Sequence, residues 1–241
     1  MEVKINIAHL YPDLLNLYGD SGNVICLCER LRLRGIEAKV TPLYSKKDFI
    51  LDGYDIIFIG GGQDFEQSLV LKDLNGVKIK SLDKAVQSGA VVLAVCGGFQ
   101  LLGKYYQPHN APQMNFTGVL DFYTVGKEKR LIGNYEFKTK EKMRIIGFEN
   151  HSGRTYLGKG VEPLGKIIKG FGNNAEDKTE GARYKNTFCT YCHGPILPKN
   201  PDFADLLIKK AVERRYGSCE LKPLDCSAEI LARKQIRDLY I

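Results

Sequence analysis

The run Ala90-Val91-Val92-Leu93-Ala94-Val95-Cys96-Gly97-Gly98-Phe99-Gln100 decides how this chain is read. Ala90–Leu93 is apolar without alternation, the pattern of a strand buried on both faces of a parallel sheet. Leu101-Leu102-Gly103-Lys104-Tyr105-Tyr106 reads as a helix. A single cysteine thus stands between strand and helix, flanked by small residues. That is the geometry of a nucleophile elbow. Glycines permit the sharp turn and leave room for a substrate, and a helix N-terminus favours an anion beside it. Most free cysteines serve as small buried hydrophobes, so it is position that singles out Cys96 from the other six.

Outward from the elbow, the first half alternates strand and helix, which predicts a parallel sheet covered by helices. Strands are expected at Val3–Leu10, Ala38–Leu43 and Tyr54–Ile59, and helices at Val24–Arg34 and Leu82–Ser88. The second half is less regular. Phe116–Tyr123, Asn134–Phe137 and Arg144–Glu149 read as antiparallel or mixed strands, and Gly170–Gly181 as a loop. A short strand at Phe188–Tyr191 precedes His193, and Pro201–Tyr216 is a helix with proline in its first turn. Ser227–Leu239 has helical spacing and is expected to pack on the core or on a partner. With no linker or repeat, one domain over residues 1–241 is the simplest account.

Composition excludes several classes. No apolar run approaches the roughly 18 residues needed to cross a bilayer. The start, Met1-Glu2-Val3-Lys4-Ile5-Asn6, lacks the apolar core of a secretory signal. Seven cysteines, an odd number, then suggest free thiols in a reducing cytoplasm. The net charge of +7 comes from scattered Lys and Arg rather than a patch, which argues against nucleic acid. Cys189-Thr190-Tyr191-Cys192-His193 matches a haem-attachment pattern, but that chemistry belongs to exported proteins. Cys26 and Cys28, two apart on a predicted helix, point away from each other, so no metal site is expected.

In open α/β sheets, ligands bind beyond the carboxyl ends of the strands. The glycine run Gly60-Gly61-Gly62 lies there, and its bare N–H groups could hold an oxyanion together with that of Gly97. Nowhere does the phosphate-cradling G-x-x-x-x-G-K-[ST] occur, so ATP is not expected on this chain. A cysteine nucleophile needs a base, and there are four histidines. His9 lies in a strand and His109 in a proline-flanked loop. His193 is better placed than His151, though position alone leaves both open.

Several segments together resolve that choice: Tyr18-Gly19-Asp20-x-Gly22-Asn23, Gly60-Gly61-Gly62-Gln63-Asp64, Cys96-x-Gly98-x-Gln100, Gly147-Phe148-Glu149-Asn150-His151-x-Gly153-Arg154-Thr155, Gly172-Asn173-Asn174 and His193-Gly194-Pro195 through Pro201. In this order they resemble class I glutamine amidotransferases. The cobyric-acid-synthase-like branch fits best, and within it the glutaminase subunits of lipid II isoglutaminyl synthases. The resemblance implies a three-layer, flavodoxin-like α/β fold with a mostly parallel central sheet. It also implies hydrolysis of L-glutamine, with Cys96 as nucleophile and His193 as base. Arg130 matches the arginine that grips the substrate carboxylate, Gln100 would contact glutamine, and Asn150 is a further candidate for contact.

One departure stands out. Typical members carry His-x-Glu, whose glutamate orients the histidine, and here the third position is Pro195. Either a backbone carbonyl then orients His193 or a partner supplies the acid, and the partner is the expectation. Asp20 is placed at the entrance or at a subunit contact, between which the sequence does not choose. The resemblance implies a heterodimer with a Mur-ligase-like (MurT-type) subunit that would bind ATP, magnesium and the lipid-linked acceptor. This chain would then need no cofactor and no membrane insertion, working in the cytoplasm at the inner face of the membrane. Two other readings stay open: a glutaminase subunit for a cobyrinate-like or nucleotide precursor, and a non-catalytic scaffold on this fold. Intact Cys96, His193 and glycine loop argue against the scaffold. Labelling with the glutamine mimic diazo-oxo-norleucine is expected to modify Cys96 alone. A peptide map showing the adduct on Cys189 or Cys192 would overturn the assignment.

Overall fold

The structure is a computed structural model that describes residues 3–218 and 220–241. In chain order the first half holds β1 (Lys4–Leu10), α1 (Gly22–Arg32), β2 (Glu37–Leu43) and β3 (Ile56–Ile59). There follow α2 (Asp64–Asp73), α3 (Gly76–Gln87), β4 (Val91–Val95) and α4 (Gly97–Leu101). Next come the strands β5 (Tyr105–Gln107), β6 (Met114–Asn115), β7 (Phe122–Thr139), β8 (Arg144–Leu157) and β9 (Gly165–Lys169). The chain ends with β10 (Thr179–Glu180), β11 (Ala182–Tyr184), β12 (Thr187–Thr190), α5 (Ile196–Lys199), α6 (Pro201–Tyr216) and α7 (Ser227–Tyr240).

The central sheet runs β11-β12-β4-β3-β1-β2, parallel except for β11 at one edge. Its inner strands are buried on both faces: every residue of β3, β4 and β12 is buried. From β1 the chain steps outward to β2, then returns to the other side of β1 as β3. Right-handed crossovers wound in opposite directions place α1 and the α2–α3 pair on opposite faces. That gives the three layers, and it makes the β1/β3 junction a switch point where strand ends open a crevice. A second sheet, β10-β9-β7-β5-β6 with β8 also on β7, is largely antiparallel.

Local chemistry accounts for the element ends. Asn75 caps α3 through its side-chain oxygen, which accepts from the N–H groups of Val77 and Lys78. Pro201 opens α6, and Gly217, at φ 86°, closes it. The observed elements differ from expectation in several places: the helix expected at Leu82–Ser88 starts at Gly76, β9 is additional, β10 falls in the expected Gly170–Gly181 loop, and three further differences have local causes. α2 escapes sequence reading because its apolar residues form no stripe: only Gln67 and Val70 are buried, and Phe65 is exposed. Its start is set instead by a capping box between Gln63 and Glu66.

The second difference lies after the elbow, where the helix occupies Gly97–Leu101 rather than Leu101–Tyr106. Tyr105 belongs to β5, its ring stacked on Tyr123 of β7 at 5.2 Å. Third, Asn134–Phe137 is part of one long strand, β7, which forms a hairpin with β8, while Phe116–Leu120 precedes it as loop. Within β7 the ladder slips between Gly126, opposite Gly153, and Leu131, opposite His151. Residues 127–130 thus bulge against Ser152 alone, which throws Arg130 out of the sheet.

α7 buries none of its residues, and Ile230, Leu231 and Leu239 are exposed along it. Arg233 ties it to Asp202 at 3.3 Å. Among the described residues no helix is long and apolar enough to cross a membrane. The buried Asn200 fastens β8 to the α5–α6 corner. Its side-chain oxygen accepts from Ile146 N–H at 3.0 Å, and its amide donates to the carbonyls of Ile146 and Ile196 at 2.9 and 2.8 Å. Asn200→Ala leaves those buried groups unpaired, each costing about 1–3 kcal/mol. Chemical denaturation should show a lower midpoint at unchanged slope.

Candidate active site

Four strand ends meet at the crevice: β1, followed by the Tyr11–Ser21 turn, β3 by the glycine run, β4 by Cys96 and β12 by His193. Cys96 has φ 48° and ψ −105°, a conformation that L-residues seldom adopt. Such strain costs about 1–3 kcal/mol and is held by the surroundings. Here Cys96 N–H donates to Thr190 O at 2.8 Å, and its own carbonyl accepts from Gln100 N–H at 3.0 Å. The elbow predicted from sequence is present.

His193 is wholly buried and leaves β12 with its N–H on Phe148 O of β8 at 2.8 Å. Its Nδ1 faces Asp20 Oδ2 at 3.6 Å, an ion-pair distance longer than a hydrogen bond, and both side chains are fully buried. The expectation that this chain brings no carboxylate to His193 is therefore corrected. The signal was Tyr18-Gly19-Asp20 in the turn after β1, and only the sheet order could connect it to a residue 173 positions later. Burial opposes charge on His193, but the negative charge of Cys96 and the Asp20 carboxylate outweigh it and raise the pKa to about 10.

Gly61 is the contact point of this group. A methyl there would lie 2.9 Å from Asp20 Oδ2, 2.9 Å from His193 Cε1 and 3.5 Å from Cys96 Cβ. Its N–H donates to Asp20 Oδ2 at 2.7 Å and its carbonyl accepts from Leu17 N–H at 3.0 Å. Gly61 N–H is thus occupied, which removes it from the oxyanion donors expected from sequence. Gly62 and Gly97 remain, packed so closely that a methyl on Gly97 would stand 2.7 Å from Gly62 N.

Beside Cys96 lies a cavity of about 450 Å³ whose walls include Tyr18, Gly62, Gln100, Arg130, Asn150 and His151. Arg130, delivered by the β7 bulge, donates through Nε to Asn150 Oδ1 at 2.7 Å and through Nη2 to Asn150 O at 3.0 Å. Asn150 therefore positions the arginine. Gln100 is buried in the floor, its oxygen accepting from Gln67 at 2.8 Å and its amide donating to Tyr191 Oη at 3.1 Å. Those bonds hold the base of the elbow helix.

His151, the other candidate base, is engaged elsewhere. It stacks on Tyr191 at 3.6 Å and 7°, with Nδ1 2.8 Å from Gly153 O and Nε2 3.7 Å from Glu149. Burial lowers its pKa against the pull of Glu149. His9 packs edge-on to Phe58 in the core. Cys189 and Cys192 are fully buried, which raises both thiol pKa values well above the ordinary range. No group of three or more His, Cys, Asp or Glu side chains among the described residues could hold a metal.

A doubly wound sheet with a strained cysteine elbow, a buried histidine and a glycine loop defines the class I amidotransferases, and comparison with known proteins agrees. Residues 6–201 match the CobB/CobQ-like glutamine amidotransferase domain, and the chain belongs to that family. Two relatives are more particular. The lipid II isoglutaminyl synthase (glutamine-hydrolyzing) subunit GatD of Staphylococcus aureus is 43% identical over 235 residues, 98% of this chain and 96% of that one. The GatD of Streptococcus pneumoniae is 43% identical over 216 residues, 89% of this chain and 83% of its own. A probable cobyric acid synthase of Methanothermobacter thermautotrophicus is 32% identical, over 60% of this chain and 31% of its own.

Among solved structures, PurLQS from Thermotoga maritima superposes with TM-score 0.55 at 15% identity, covering 90% of this chain and 97% of that one. A glutamine amidotransferase of the same organism gives 0.53 at 13% identity, covering 98% and 92%. At such identities these two speak for the fold alone. Gly61→Ala is expected to lower the glutaminase kcat by about 10²-fold or more, since displacement of reacting groups by an ångström has that effect. Steady-state ammonia release, with circular dichroism confirming the fold, checks it.

Proposed function

We propose that this chain is the glutamine-hydrolysing subunit of a lipid II isoglutaminyl synthase. The observation that carries the chemistry is the convergence of Cys96, His193 and Asp20 around Gly61, beside a cavity walled by Arg130. The choice of acceptor rests on the two GatD relatives, whose identity extends over nearly the whole chain. The cobyric acid synthase reading has less behind it, at lower identity over a shorter span.

In this reading Cys96 gives its thiol proton to His193, and Sγ attacks the side-chain amide carbon of L-glutamine. The charge that develops on the amide oxygen meets the N–H groups of Gly62 and Gly97. His193 gives a proton to the leaving nitrogen, ammonia departs, and a glutamyl thioester remains. Water, deprotonated by His193, then adds to the thioester carbon. Glutamate leaves and Cys96 is restored. Arg130 holds the substrate α-carboxylate, a task suited to a forked donor. Asp20 orients His193 and steadies its charge. The gap of 3.6 Å is one that substrate would close, as catalytic hydrogen bonds often tighten only with substrate bound.

Ammonia set free in water would be protonated and lost, so the acceptor enzyme has to dock at the crevice. That partner is a Mur-ligase-like (MurT-type) subunit, and ATP and magnesium belong to it. The pair works in the cytoplasm on a substrate anchored at the inner face of the membrane. The test is amidation of purified lipid II by the two subunits with ATP, magnesium and glutamine. Isoglutamine should form, and Cys96→Ser should abolish it with glutamine but not with ammonium salts. No amidation with either nitrogen source would rule out this acceptor.

Asp20 generates a separate prediction. Removing its charge lowers the His193 pKa, so the alkaline limb of the kcat/KM–pH profile should move to lower pH in Asp20→Asn. The kcat should fall by about 10²-fold or more, since loss of a triad carboxylate costs up to about 10⁴ in a serine protease. An unchanged profile would return the orienting role to the partner.

A further inference from the structure

We infer that Tyr18 is a positioning residue that ties the arginine clamp to the ring of His193. The inference rests on the glutaminase reading above, and its observations are independent of Asp20. Tyr18 has φ 57° and ψ 24°, a left-handed conformation uncommon for a bulky side chain. The turn around it is pinned at both ends, Leu17 N–H on Gly61 O at 3.0 Å and Ser21 N–H on Asn16 Oδ1 at 2.8 Å. A strained residue held so firmly has its side chain aimed.

It is aimed at two places. The ring sits edge-on to His193, centroids 4.8 Å apart at 61°, and edge-on to Phe148 at 5.9 Å. Tyr18 itself is 45% exposed while His193 behind it is fully buried, so the phenol is a lid on the imidazole. Its hydroxyl accepts from Asn150 Nδ2 at 2.5 Å, and Asn150 in turn receives Nε and Nη2 of Arg130. Guanidinium, amide, phenol and imidazole thus form one continuous chain of contacts. Two of the five guanidinium donors are spent on Asn150, and the other three are left for a carboxylate. Arg130 stands on an unpaired bulge and is exposed. Without this anchor it would search many rotamers before gripping a substrate.

The two halves of the phenol therefore do different work. The hydroxyl holds the clamp, which governs glutamine binding. The ring keeps water from His193 and holds its orientation, which governs turnover. The variants Tyr18→Phe and Tyr18→Ala separate them. In steady-state glutaminase assays of the full chain, Tyr18→Phe should raise KM about three- to ten-fold, the loss of one neutral hydrogen bond, and retain kcat. Tyr18→Ala should raise KM similarly and in addition lower kcat about ten-fold or more.

In an Arg130→Ala background Tyr18→Phe should add no further rise in KM, because the two act through one clamp. Glutamine affinity measured by calorimetry on Cys96→Ala, with and without Tyr18→Phe, should drop by the same factor as KM rises. An unchanged KM and affinity in Tyr18→Phe, full additivity with Arg130→Ala, or equal kcat in the Phe and Ala variants would each overturn the inference. Absence of hydrolysis by the wild-type chain would count against the glutaminase reading instead, and the calorimetric arm would still judge Tyr18.

Discussion

The site depends on the missing side chain of Gly61. Asp20, His193 and Cys96 approach that α-carbon so closely that one methyl group would touch all three. Both backbone polar groups of Gly61 are then taken by the turn after β1, the N–H by Asp20 and the carbonyl by Leu17. A turn and a loop from neighbouring strands are thereby locked together. The lock requires β1 and β3 to lie side by side, which the reversal of winding at the switch point provides. The strained backbone of Cys96 and of Tyr18 is tolerated because the fully buried β3, β4 and β12 leave the chain no cheaper path.

Burial then sets the electrostatics. In a low-dielectric surrounding an unpaired charge is costly and a paired one is strongly held. His193 and Asp20 are both shut away from water, so each needs the other, and Cys96 completes the balance. The Gly61 N–H that might have faced substrate serves the carboxylate instead. Gly62 and Gly97 lie so close that a methyl on Gly97 would meet the Gly62 backbone. Groups from three strand ends thus meet at one glycine of the loop after β3.

The two sheets divide the labour. The parallel sheet supplies the reacting groups, all at its carboxyl edge. The antiparallel hairpin β7–β8 supplies a wall of the cavity: its bulge carries Arg130 and the facing strand carries Asn150. The halves are joined where His193 N–H meets Phe148 and where Asn200 grips Ile146. Rigid connection matters because Arg130 and Cys96, one from each half, line the same cavity. Tyr18 spans that gap, touching both His193 and Asn150.

Much of this was legible in the residues alone. The unbroken apolar run into Cys96 specified a buried parallel strand and an elbow, and the Pro201–Tyr216 helix carried its own start and stop signals. Such features are local, so a short window holds all the information. α2 was not legible, because its start depends on a Gln63–Glu66 capping box rather than on an apolar stripe. The long β7 was cut in pieces for a similar reason, its bulge interrupting the alternation that marks a strand. What only the tertiary structure decided was pairing across distance. Asp20 reads as an acid at the entrance or at a subunit contact, and Pro195 suggested that no acid in the chain orients His193. Strand order, set by packing of whole elements, brings position 20 against position 193. The same packing takes Gly61 N–H from a substrate and gives it to that carboxylate, because an interior admits no unpaired charge and no wasted space.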